Sequence, residues 1–85
     1  MALASETEIR CMNELCGRFG RAVRRKRVEQ GWSQEELAAR ADLNRSYVGE
    51  IERGVVMPSL GTIRKLSDAL QITLSQLMAD CEYLS

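Results

Sequence analysis

The sequence predicts an all-α chain, four or five short helices packed into one bundle, and three observations carry that prediction. Apolar residues recur at three- and four-residue steps, nowhere with the strict alternation of a half-buried strand. Glycines or short polar clusters close these stretches, and Ser, Thr or Asn stands where the next one opens. Aromatic residues are few (Phe19, Trp32, Tyr47 and Tyr83), so the core must be built from Leu, Ile, Val and Ala, which suits packed helices.

Along the chain, Ile9, Met12, Leu15, Cys16, Phe19, Val23 and Arg27 share one helical face. Ser5 with Glu8 has capping-box spacing, so a first helix is expected from near Glu6. Gly17 and Gly20 interrupt it and predict a break or kink, and Gly31 ends it. Ser33 and Glu36 form a second capping box for a helix over 34–40, with Leu37, Ala38 and Ala41 on its inner side. Ala41, Asp42 and Leu43 make a tight connection. Asn44 then caps a third helix, Arg45–Arg53, which Gly54 stops and whose inward residues are Val48 and Ile51. Residues 54–58 form a loop. Ser59 opens a fourth helix ending about Leu70, with Leu60, Ile63, Leu66, Ala69 and Leu70 as its apolar face. Thr73 with Gln76 is a third capping box, for a last helix through Leu77 and Met78.

Eighty-five residues allow one modest core and no separate catalytic domain. The 12 basic and 12 acidic residues cancel, and the pI of 6.3 lies below the value of about 9 usual for a nucleic-acid-binding domain. The distribution says more than the sum. Arg18, Arg21, Arg24, Arg25, Lys26 and Arg27 follow one another without an acid among them. They read first as a solvated face wrapped around a helix, with Arg21 or Arg25 placed to assist nonspecific attraction to DNA. Neutral net charge therefore weighs mildly against DNA binding and does not exclude it.

Other function classes fare worse. The chain has no histidine, no Gly-rich phosphate loop and no nucleophile with a credible partner, so no enzyme is expected. Cys11 and Cys16 fall short of the four N/S ligands of tetrahedral zinc; no metal or cofactor is expected, and both read as small apolar fillers. Cys81, near a fraying end, is a candidate for an intermolecular disulfide on oxidation. An odd cysteine count, a first ten residues without signal-peptide character and the absence of a long apolar run point to the cytoplasm and no membrane partner.

Two short helices joined by a tight turn, 34–40 and Arg45–Arg53, make a helix-turn-helix. Leu37, Ala41, Leu43, Val48 and Ile51 are apolar where crossing helices touch, and Ala38 is small where they approach most closely. Arg45, Ser46, Glu50 and Arg53 give the second helix a polar outer face. A major groove about 12 Å wide admits one such helix, whose N-terminal residues reach the base edges.

The stretch GWSQEELAARADLNRSYVGEIERGVVMPSLGTIRKLSDAL resembles the Xre/Cro/C1 family of phage-repressor-like regulators, through Ser33-Gln34-Glu35-Glu36-Leu37-Ala38, Arg45-Ser46-Tyr47, Ile51-Glu52-Arg53-Gly54 and Pro58-Ser59-Leu60. The resemblance covers about 19–77. It implies a compact five-helix, lambda-repressor-like DNA-binding bundle over 18–79, which leaves 1–17 as an N-terminal extension, expected to be helical, and 80–85 as a tail. It implies base contacts from Arg45, Ser46 and Glu50, and phosphate contacts from Gln34, Asn44, Tyr47 and Arg53. It also implies a structural ion pair between Arg27 and Glu52, which suits an arginine lying on an apolar face. Asp42 stands where relatives usually have glycine; aspartate tolerates the left-handed backbone better than most residues.

The resemblance further implies a homodimer on duplex DNA. Ile72, Leu74, Leu77, Met78, Tyr83 and Leu84 exceed what a short last helix needs for its own packing. Leu74, Leu77, Met78, Tyr83 and Leu84 are the expected interface, with residues 1–15 as a second contributor. The expected function is sequence-specific transcriptional regulation from an inverted repeat, by repression: a phage-type repressor, a restriction–modification controller or an antitoxin. The competing reading is a protein-interaction module that keeps the fold and reads no DNA, its partner seated on the apolar loop residues Val55, Val56 and Met57.

Overall fold

Side-chain caps divide the chain into its helices. In the computed structural model, which describes the backbone of residues 6–83 and the side chains of 14–81, five helices follow in order: α1 (Glu6–Glu29), α2 (Gln34–Ala41), α3 (Arg45–Arg53), α4 (Leu60–Leu70) and α5 (Leu74–Tyr83). The Ser33 hydroxyl accepts from the Glu36 amide at 3.0 Å, Asn44 Oδ1 from the Ser46 amide at 2.7 Å and the Ser59 hydroxyl from the Thr62 amide at 3.1 Å. Thr73 and Gln76 close a reciprocal box, each accepting from the other's backbone amide at 3.0 and 2.9 Å. Every one of these bonds satisfies an amide that a helix start would otherwise leave without a partner. Asp42, Gly54 and Gln71 end α2, α3 and α4 in the left-handed conformation. The Ser5–Glu8 box lies outside the described residues.

α1 lies across the bundle against α3 and α5, α2 packs on α3 and α4, and α4 on α5. Their inner faces meet in one core of Phe19, Val23, Leu37, Ala38, Ala41, Val48, Ile51, Ile63, Leu66, Leu70, Leu77 and Cys81. Leu60 departs from the expected α4 face. It is 81% exposed, because the first position of the helix lies beyond the core that Ile63 enters one turn later. The bundle also reaches further than the 18–79 span. Cys16 is buried, α5 runs to Tyr83, and Cys81 is fully buried with its Sγ 3.9 Å from the Leu15 carbonyl. A thiol so placed is closed to an intermolecular disulfide while the fold is intact. Cys11's side chain lies outside the described residues.

The break expected at Gly17 and Gly20 does not form; α1 is continuous. Both glycines answer a tertiary requirement instead. A Cβ on Gly20 would overlap the Ile51 carbonyl oxygen and come within 2.6 Å of that of Glu52. Gly54, at φ 74°, brings its own Cα so close that a Cβ there would stand 2.8 Å from the Gly17 Cα. The last turn of α3 therefore rests on the bare backbone of α1. Glycine in a helix interior costs about 1 kcal/mol relative to alanine, and here the close crossing offsets it.

One ion pair crosses the same contact. Arg27 Nε and Nη2 meet Glu52 Oε2 and Oε1 at 2.7 and 3.0 Å, and Arg27 Nη1 donates to the Trp32 carbonyl at 2.7 Å. Their side chains are only 13% and 3% exposed. The run of basic residues thus splits by position on α1: Arg27 turns inward, Lys26 reaches Asp80 on α5 at 3.3 Å, and Arg21, Arg24 and Arg25 stay exposed.

Two outcomes are expected. Gly20→Ala forces α1 and α3 apart and lowers stability by about 1–3 kcal/mol or more, the usual cost of overpacking, read by denaturant melts. Arg27→Ala or Glu52→Ala, which strands the other charge, costs about 3–5 kcal/mol, while Arg27→Met with Glu52→Leu loses less than either; a double-mutant cycle with no coupling would falsify the pairing as a stability element.

Candidate nucleic-acid interface

The turn between α2 and α3 is set by Asp42, which adopts φ 54°, ψ 50° while its amide bonds back to α2. Leu43 bonds its amide to the Ala38 carbonyl at 2.8 Å and packs on the core, which aims α3 across α2. Val48 and Ile51 anchor α3 from beneath. Its opposite side carries Arg45, Ser46 and Arg53, all exposed, with Glu50 half-buried beside them.

These residues line one polar cleft of about 300 Å³ together with Gln34 and Gly49. Gln34 enters it from the first position of α2. Its Nε2 donates to Glu52 Oε1 at 3.1 Å, so the amide is oriented by the buried ion pair and keeps one N–H for another acceptor. Arg45 Nε lies 4.0 Å from Glu35 Oε1, with both side chains exposed. Such a pair is worth little and leaves the guanidinium available. Asn44 stands at the helix start, its Oδ1 committed to the cap.

The expected contact residues are thus not all alike. Arg45, Ser46, Glu50, Gln34 and Arg53 share the cleft, and Asn44 borders the same helix end. Tyr47 is half-buried with its ring packed on the core, so only its outer edge can face a ligand. Among the apolar loop residues, Val55 is 63% exposed and Met57 48%, but Val56 packs on the core. Met57 also turns its sulfur to within 3.9 Å of Cys16 Sγ. The loop therefore offers less apolar surface than its composition suggests.

On α5, Leu74 and Met78 are partly exposed, as an interface needs. Leu77 is fully buried in the protomer's own core and cannot meet a partner, a correction to the expected interface. The helix turns this position toward α1 and the core, while 74 and 78 share the neighbouring outer face. The side chain of Tyr83, all of Leu84, all of 1–5 and the side chains of 6–13 lie outside the described residues.

Two positions escaped the sequence reading. Trp32 supplies the carbonyl that holds Arg27, and its ring lies 4.3 Å beneath the Arg40 guanidinium, clamping the α1–α2 turn. The only signal was a lone tryptophan directly after a helix-ending glycine. Gly49 gives the cleft its floor; a glycine inside an otherwise polar helix face was the signal there.

Comparison with known proteins agrees with the helix-turn-helix fold. Residues 23–77 match the family model described as Helix-turn-helix. The chain is 43% identical over 72 residues to the control protein C.MunI of Mycoplasma, covering 84% of this chain and 97% of that one. It is 46% identical over 55 residues to the control protein C.BamHI of Bacillus amyloliquefaciens, covering 64% and 68%. The crystal structure of the restriction-modification controller protein C.AhdI from Aeromonas hydrophila superimposes with a TM-score of 0.71 at 45% identity, over 73% of this chain and 94% of that one. The chain belongs to the helix-turn-helix family of the Xre/Cro/C1 type, a family of DNA-binding transcriptional regulators.

Proposed function

We propose that this protein is a controller-type regulator that binds an inverted repeat in duplex DNA as a homodimer, with α3 in the major groove, and acts by repression. The observation that carries this reading is the shared cleft, in which exposed Arg45 and Ser46, with Glu50, face outward from a helix capped at both ends. Arg45 suits a bidentate contact to guanine O6 and N7, and Glu50 suits the cytosine amino group. Gln34, Asn44, Arg53 and the edge of Tyr47 take the flanking phosphates. The names of the relatives C.MunI, C.BamHI and C.AhdI favour the controller role over the phage-repressor and antitoxin roles.

Dimerisation has a physical motive, since one module contacts few base pairs and a two-fold dimer reads two half-sites. Leu74 and Met78 on α5 are the described residues that support it, joined in this reading by Tyr83 and Leu84. A neutral chain can still bind a polyanion when its cations are gathered locally. Arg45 and Arg53 lie on the proposed DNA-reading face, while three acids are engaged elsewhere: Glu52 with Arg27, Glu36 with Arg40 and Asp68 with Arg64.

The test is selection of bound duplexes from a random library at near-physiological salt. The expected result is a two-fold-symmetric motif with half-sites about 10 bp apart; recovery of unenriched DNA would count for the interaction-module reading. On the selected duplex, Arg45→Ala is expected to cost about 1–3 kcal/mol and to relax preference at one base position. Arg53→Ala weakens all sequences alike and lowers the salt slope by about one. Leu74→Glu with Met78→Glu is expected to yield a folded monomer by sedimentation and circular dichroism, with binding to the full repeat lost first.

A further inference from the structure

The recognition helix has a residue without a side chain at its centre. Gly49 is buried on the flank of α3 that faces α2. A Cβ placed there would lie 3.2 Å from Arg53 Nη1 and 3.7 Å from Gln34 Oε1. Two long polar side chains, from two different helices, therefore close over the same spot.

Neither folding reason for a glycine applies at this position. Its backbone is helical, unlike Gly54, and the atoms around it are the ends of flexible side chains, unlike the carbonyls facing Gly20. Glycine inside a helix is otherwise destabilising relative to alanine. What the position supplies is room. Helical side chains lean toward the N-terminus and cover the turn before their own. Arg53, four residues on, leans over position 49, and a Cβ there would crowd its guanidinium at 3.2 Å and displace it from this seat.

We propose that Gly49 is a positioning residue for DNA binding: it seats the Arg53 guanidinium beside Gln34, so that both present donors to one phosphodiester of the DNA backbone. Gln34 has one amide hydrogen on Glu52 and a second to give. Two guanidinium groups, Arg45 and Arg53, outnumber the single carboxylate, Glu50, that lines the cleft. This inference rests on the DNA-reading role proposed above.

The experiment compares the wild-type chain with Gly49→Ala, Arg53→Ala and the double variant, on the selected duplex and on one of unrelated sequence. Affinity is measured across a salt series and thermal melts are run alongside. Gly49→Ala is expected to melt at or above the wild-type temperature, by up to about 4 °C. It is expected to bind both duplexes about tenfold more weakly, with the salt slope reduced by about one. In the Arg53→Ala background the same substitution should cost nothing further. The inference is overturned if Gly49→Ala binds as wild type, or if its loss persists undiminished without Arg53. It is also overturned if the melting temperature falls together with affinity, which would make the glycine a packing requirement. Failure of the wild-type chain to bind any duplex is a separate outcome, visible before a variant is made, and it removes the DNA-reading role and this inference together.

Discussion

The contact between Arg27 and Glu52 is the constraint on which the rest of the bundle turns. Two charges held at 13% and 3% exposure have given up most of their hydration, and only saturated bonding offsets that loss. Arg27 therefore makes two bonds to the carboxylate and one to the Trp32 carbonyl, and Glu52 accepts a further one from Gln34. These bonds fix α1, the α1–α2 turn, α2 and α3 relative to one another. Buried pairs of this kind often add little net stability over a well-packed apolar replacement, although removing one partner alone is costly.

The pair can close only because α3 comes so near α1. Gly20 and Gly54 remove the side chains that would separate the two backbones, and the carbonyls of Ile51 and Glu52 then lie over Gly20. Isolated helices of nine residues are unstable in water. α3 persists because it is capped by Asn44, ended by Gly54 and held on Val48 and Ile51. Its outer face is thereby released from any structural duty and is free to be polar. The same network reaches the candidate interface directly, since Gln34 is oriented by Glu52 rather than by solvent.

Charge is organised on the same principle. A net charge of zero conceals a division of labour. Arg27 is internal, Lys26 ties α1 to α5 through Asp80, and Arg40 stacks on Trp32 and pairs with Glu36. The cations of the cleft, Arg45 and Arg53, have by comparison weak or no internal claims on them among the described residues. Local placement, not total charge, decides what such a surface attracts.

Helix order and ends were legible in the sequence because caps are local. Ser33, Asn44, Ser59 and Thr73 bond to amides two or three residues away, and the spacing alone reveals them. The core faces of α2, α3 and most of α4 followed from periodicity for the same reason. Gly17 and Gly20 read as a break because propensity considers one helix at a time, whereas their purpose lies at the end of another helix, at Ile51, Glu52 and Gly54. Leu60, Leu77, Val56 and Cys81 show the same limit: composition marks them as apolar, but whether each faces the core or water depends on where the neighbouring helices end. Gly49 stood out in the sequence only as a glycine inside a helix, since the space it leaves has meaning only once Arg53 and Gln34 are folded over it. The sequence by itself determined four capped helix starts, a helix-turn-helix and its family; the tertiary structure decided which of the remaining apolar side chains stay outside, because their exposure is a property of packed neighbours and not of any residue's own chemistry.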